Sequence, residues 1–189
     1  MTGIERAERR GRIARYTVFG LMMVFLALGA AFALGETFAD PGGTSAVLMA
    51  ASWVVPAVGL SIHALGRPDE AQRVLRVVTA VVAAFVVLQS VTDLVPSDEV
   101  GPVATLAAFA TSVPLAFLAL HRAGAAGTML LVLGLALALG AVVGAPAGSA
   151  TAVAAPLLLF GMLFMATDTG SHGHHSVPPT APASPEASH

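Results

Sequence analysis

Apolar residues along this chain run in long unbroken stretches rather than alternating with polar ones, and the polar positions mark where each stretch ends. No charged residue occurs in Tyr16–Gly35, Pro41–Gly66, Val77–Thr92 or Val100–His121. A segment that is apolar on every side is stable as a helix only when its whole surface is removed from water, and about 20 such residues cross the hydrocarbon core of a bilayer. The third stretch is short, but Arg73 and Arg76 extend it because long basic side chains reach back to the interface. Between Arg122 and Asp168 lies the longest uncharged run. As one helix it would measure roughly 65–70 Å, about twice the hydrocarbon thickness. It therefore crosses twice, with Gly144-Ala145-Pro146-Ala147-Gly148-Ser149 as the turn.

The pattern thus predicts an all-α, polytopic membrane protein. Six transmembrane helices are expected at about 16–35, 44–65, 74–94, 101–121, 127–144 and 149–167. Residues 1–15 form a separate basic segment, plausible as a short interfacial helix because its Arg and Glu residues fall at pairing distances. After Asp168 the chain turns to His, Pro, Ser and Ala, too poor in apolar residues to fold alone, so 169–189 reads as a disordered tail.

Charge sets the expected orientation. All nine basic residues other than histidine are arginine. Arg6, Arg9, Arg10, Arg12 and Arg15 precede the first span, Arg67, Arg73 and Arg76 flank the second loop, and Arg122 lies in the fourth. The alternate loops carry Glu36, Asp40, Asp93, Asp98 and Glu99. With both termini in the cytoplasm, every arginine falls on the cytoplasmic side, as basic loop residues do in membrane proteins. The competing reading is a cleaved leader ending at Ala31-Phe32-Ala33, but the first apolar run is longer than a leader requires.

The chain also matches itself. A shift of 58 residues superposes Asp40, Gly43, Ala46, Leu48, Ala50, Val55-Pro56, Leu60, His63 and Gly66 on Asp98, Gly101, Ala104, Leu106, Ala108, Val113-Pro114, Leu118, His121 and Gly124. A composition this biased gives about three such matches by chance. Shifting by 105 fits the first helix pair on the last less closely and sets His63 on Asp168. Three tandem helical hairpins are the expected architecture, with Gly29, Ala33, Gly134 and Ala138 permitting close helix approach.

Composition excludes several chemistries. There is no cysteine, hence no disulfide, thiolate ligand or thiol nucleophile, and no lysine, hence no Schiff base or phosphate-loop lysine. Arginine without lysine in an Ala/Val/Gly-rich chain fits a high-GC prokaryotic genome and so a cytoplasmic (inner) membrane. The basic N-terminal cluster is expected to meet anionic lipid rather than nucleic acid. A second copy or another membrane protein is a candidate partner.

Three two-helix units with Pro/Gly-containing outer turns (Asp40-Pro41-Gly42, Pro96 and Pro146-Ala147-Gly148) resemble the HdeD-like acid-resistance membrane proteins. That resemblance covers the body of the chain and implies a non-catalytic envelope-stress component, with no catalytic residues to transfer. The tryptophan-rich hairpin starts of that family are missing, since Trp53 is the only tryptophan.

Candidate chemistry is sparse. His63 and His121 end the second and fourth predicted spans and Asp168 the sixth. Brought to one focus, two imidazoles and a carboxylate suit zinc or iron(II); otherwise they are interfacial residues facing water. In the tail, the clustered His172, His174 and His175 either take a divalent metal weakly, without fixed geometry, or belong to a metal-indifferent linker. Gln89, Ser90, Thr92 and Asp93 make a polar patch at the outer end of the third span, read as a solvated terminus. Pro56, Pro114 and Pro156 each free a carbonyl inside a span, which in carriers lines a binding site and elsewhere is a packed kink. No catalytic residue and no bound cofactor is expected. The competing function is a small-solute carrier or metal-handling protein using the His-bearing cytoplasmic face.

Overall fold

In a computed structural model of the chain, the backbone is described for residues 3–39, 43–92, 97–143 and 148–169 and the side chains for 9–31, 51–90, 105–143 and 151–168. These residues form six α-helices: α1 (Gly3–Ala39), α2 (Gly43–Gly66), α3 (Pro68–Thr92), α4 (Ser97–Ala119), α5 (Ala123–Val143) and α6 (Gly148–Thr169). No strand occurs among the described residues. The helices coincide closely with the six apolar stretches. The clearest difference is at the N-terminus, where the basic segment is not a separate element but the first turns of α1. An unbroken helix of 37 residues results, about 55 Å long at 1.5 Å per residue.

Four helical stretches are long and apolar enough to cross a membrane: Arg9–Ala31, Pro68–Ser90, Ala123–Val143 and Thr151–Asp168. The described apolar parts of α2 and α4 are shorter, Ala51–Gly66 and Thr105–Ala119.

Helix α4 is the hub. It packs against each of the other five, and those five close round it in the order α1, α2, α3, α5, α6. Its Ala108, Ser112, Leu115, Ala116, Leu118 and Ala119 are fully buried, and none of its described side chains is fully exposed. Large exposed apolar side chains follow the same division. Leu21 and Val24 on α1, Val55 and Ile62 on α2, Val77 and Val81 on α3, Leu135 and Val142 on α5, and Leu159 and Met162 on α6 all face outward, whereas the described side chains of α4, 105–119, include none. Spatial neighbours therefore do not follow the three hairpins of the chain. Among the described residues, helix α3 packs more extensively on α5 than on α4, and α2 more on α4 than on α1.

Individual contacts fix the helix directions. Arg15 of α1 reaches Leu120 just beyond α4, while Phe25 lies against Phe109, so α1 and α4 are antiparallel. The Asp69–Arg122 ion pair joins the start of α3 to the start of α5, and Ser90 near the end of α3 abuts Gly140 near the end of α5. Those two helices run parallel. Asp168 covers Gly124 and Leu158 covers Gly134, so α6 returns antiparallel to α5. The starts of α3 and α5 and the ends of α2, α4 and α6 therefore share one end of the bundle with Arg15.

The tightest seam lies between α5 and α6. A Cβ on Gly127 would stand 2.7 Å from the carbonyl oxygen of Gly161, one on Gly134 2.8 Å from Leu158 Cγ, and one on Gly161 2.8 Å from Leu131 Cγ. Each rung sets a glycine against a larger side chain or the opposing backbone. This brings the helices close enough for dispersion contacts to act along both backbones. The close approach expected at Gly134 is observed; at Gly29 the ring of Phe109 occupies the space a Cβ would take. Ala138 is partly buried against the core, and the side chain of Ala33 lies outside the described residues.

Candidate functional site

The chemistry-bearing side chains collect at the end of the bundle just defined. Two turns build it. Helix α2 stops at Gly66, and after Arg67 the chain re-enters a helix at Pro68, a residue whose fixed φ and missing N–H suit the first helical position. The Arg67 carbonyl accepts the first bond of α3 from Ala71 N–H (2.9 Å), and the Arg122 carbonyl accepts that of α5 from Ala126 N–H (3.0 Å). Arginine thus occupies the N-cap of both helices, where the positive end of the helix dipole disfavours a cation. Carboxylates offset this: Arg67 pairs with Glu70 at 3.3 Å and Arg122 with Asp69. Both pairs are largely solvent-exposed, so each contributes about 0–1 kcal/mol. Asp168 adds its carboxylate at the first turn of α5, against Gly124.

Arg15 differs from these surface arginines. It lies on the inward face of α1, at helical spacing from buried Val18, Met22 and Leu26. Its Nη1 donates to the Leu120 carbonyl at 3.4 Å, where α4 leaves its last carbonyls without helical partners. The Nε is buried and has no hydrogen-bond partner. One turn deeper, Phe19 meets Phe117 edge-on at 5.5 Å. The spacing Arg15, Val18, Met22, Leu26 was available in the sequence, but an arginine next to an apolar run reads as a topology signal first.

The predicted ligands His63, His121 and Asp168 all lie at this end of the bundle. His63 is half-buried in the last turn of α2, and its carbonyl accepts from Arg67 N–H at 2.8 Å. His121 is exposed in the turn after α4, and Asp168 lies on α5. Among the described residues no three of His, Asp and Glu are grouped so as to hold a metal ion. The 58-residue match equates His63 with His121 and Gly66 with Gly124, yet α4 ends at Ala119 and Gly124 is already in the first turn of α5. The two histidines occupy different local structures for that reason. His172, His174 and His175 lie outside the described residues, as does Asp93.

The buried interior contains hydroxyls and, among the described residues, no fully buried ionisable group. Ser61 donates to Ala57 O (2.6 Å), Thr111 to Ala107 O (2.7 Å) and Ser112 to Phe109 O (2.5 Å). Such bonds to a preceding turn of the same helix satisfy a hydroxyl without a cross-helix partner. Thr79 is the exception, buried at 3% exposure with Oγ1 unpartnered. Counted along their helices, Thr79, Thr111 and Ser112 lie roughly 10–17 Å from the Arg15 end. Pro114 is fully buried beside them, whereas Pro56, its match under the 58-residue shift, is exposed on α2, and Pro156 is intermediate. No family model, curated protein or solved structure matches this chain.

Proposed function

We propose that the chain is a non-catalytic, multi-pass protein of a prokaryotic cytoplasmic membrane. It crosses the bilayer six times as three successive antiparallel hairpins, with both termini in the cytoplasm, and acts as a small envelope or stress-related component. The distribution of exposed apolar side chains carries this reading: among the described residues every outer helix presents them and the central helix none. In water so much exposed apolar surface would drive association; in lipid it needs no cover. The described arginines at one end of the bundle support cytoplasmic termini, and hydroxyls bonded within their own helices suit a dry interior. The stress-related role draws on the resemblance to HdeD-like proteins. The test is retention of the expressed chain in bacterial membranes after an alkaline carbonate wash; release into the wash contradicts the reading.

A second reading, a small-solute carrier, is favoured by one observation: the unpartnered Thr79 hydroxyl at a depth close to that of Thr111 and Ser112. It predicts that Thr79→Val impairs uptake by proteoliposomes. Metal handling, as proposed for this chain, rests on the tail histidines rather than on His63, His121 and Asp168.

A further inference from the structure

The outer ring is least closed between α1 and α2. Both pack on α4, yet among the described residues they meet each other less than any other neighbouring pair of the ring. Among its described side chains, the residual exposure of α4 is confined to one face. Leu106, Ala110, Val113 and Phe117, spaced at four, three and four residues, are partly exposed, while Ala108, Leu115 and Ala119 opposite are buried. Phe117 touches Phe19 of α1, which sets this stripe beside α1, at the opening in the ring. From Leu106 to Phe117 the stripe extends about 16 Å at 1.5 Å per residue. This is the depth of one leaflet of a hydrocarbon core about 30 Å thick.

At the head of the stripe stands Arg15. Its guanidinium makes one long bond, to Leu120 O, and holds a buried Nε with no acceptor. No carboxylate pairs with it among the described residues, whereas Arg67 and Arg122 are both paired. A half-buried guanidinium with a spare donor, at the mouth of an apolar groove one leaflet deep, matches an anionic group carrying a hydrocarbon chain. Arg9, Arg10 and Arg12 on the preceding turns of α1 disfavour a headgroup with its own cation.

We propose that one anionic phospholipid of the cytoplasmic leaflet binds in the opening between α1 and α2, its phosphate on Arg15 and an acyl chain along Leu106, Ala110, Val113 and Phe117. This rests on the membrane reading, and the experiment separates the two. Wild type, Arg15→Gln, Ala110→Trp and the exposed control Arg10→Gln are reconstituted into vesicles of equal phosphatidylglycerol and phosphatidylcholine. Flotation checks insertion; the chains are then extracted in mild detergent and weighed by native mass spectrometry.

The expected result is one retained phosphatidylglycerol on wild type and on Arg10→Gln. Retention falls about tenfold or more on Arg15→Gln, the loss of a charge-assisted hydrogen bond, and similarly on Ala110→Trp, which fills the groove and leaves Arg15 in place. Equal retention of the two lipids, unchanged retention by both variants, or a dimer without lipid, which puts a second copy in the groove, overturns the proposal. A chain that does not float with the vesicles overturns the membrane reading itself.

Discussion

Gly127 of α5 and Gly161 of α6 face each other so closely that neither position has room for a side chain. A Cβ on Gly127 would lie 2.7 Å from the Gly161 carbonyl oxygen, and one on Gly161 would lie 2.9 Å from that of Gly127. The obstacle in each case is backbone, which cannot rotate away. Gly20 on α1 has no atom within 4 Å of its would-be Cβ.

These two environments give opposite expectations. Gly127→Ala or Gly161→Ala forces the helices apart and is expected to lower stability by about 1–3 kcal/mol, the usual cost of overpacking. Gly20→Ala is expected to be neutral or to stabilise by up to about 1 kcal/mol through helix propensity. Thermal unfolding in detergent compares them, and equal effects would show that α5 and α6 are not in backbone contact.

Thr79 carries a cost that can be removed. A buried hydroxyl without a partner destabilises by about 1–3 kcal/mol, and valine has nearly the same shape without the oxygen. Thr79→Val is expected to raise the unfolding midpoint, while Ser112→Ala, which removes a hydroxyl bonded within its own helix, is expected to change it little. A lower midpoint for Thr79→Val would reveal a partner for that hydroxyl, as a solute site would supply.

Divalent metal is expected to bind only through His172, His174 and His175. Zinc or nickel retained by the purified, tag-free chain should be lost on truncation after Asp168 and unchanged in His63→Ala/His121→Ala. Imidazole must be neutral to ligate, so binding should weaken as pH falls through the ordinary histidine pKa of about 6.5. Elemental analysis of the three proteins across pH decides. Metal that survives truncation and vanishes in the double variant would restore the His63–His121–Asp168 set.

The existence and limits of the helices were legible because charge is confined to the ends of the apolar runs. Gly66 ends α2 where its uncharged stretch ends, and Pro68 opens α3, as a first helical position allows. The N-terminal segment was cut short because its arginines read as a membrane boundary, but α1 runs through them without a break. What the sequence did not reveal is that α4 is central. Its Ala107, Ala108, Ala116 and Ala119 are as acceptable to lipid as to protein, so their type says nothing of which they face. The internal match likewise paired Pro56 with Pro114, although one is exposed on an outer helix and the other buried in the hub. The seam at Gly127 and Gly161 was hidden for a related reason, since spacing within one helix does not identify the opposing partner. Arg15 was visible as a charge, but its burial comes from α1 lying over the end of α4.

Sidedness is the most direct test of six crossings with cytoplasmic termini, and the absence of native cysteine makes it clean. Single cysteines are placed at Gly42, Pro96 and Ala145, and at Gly3, Arg67, His121 and Ser171. Intact bacterial cells are then treated with a membrane-impermeant maleimide, before and after permeabilisation. The account predicts labelling of the first three in intact cells and of the other four only after permeabilisation. Labelling of both sets alike, or of Arg67→Cys or His121→Cys from outside, would contradict it.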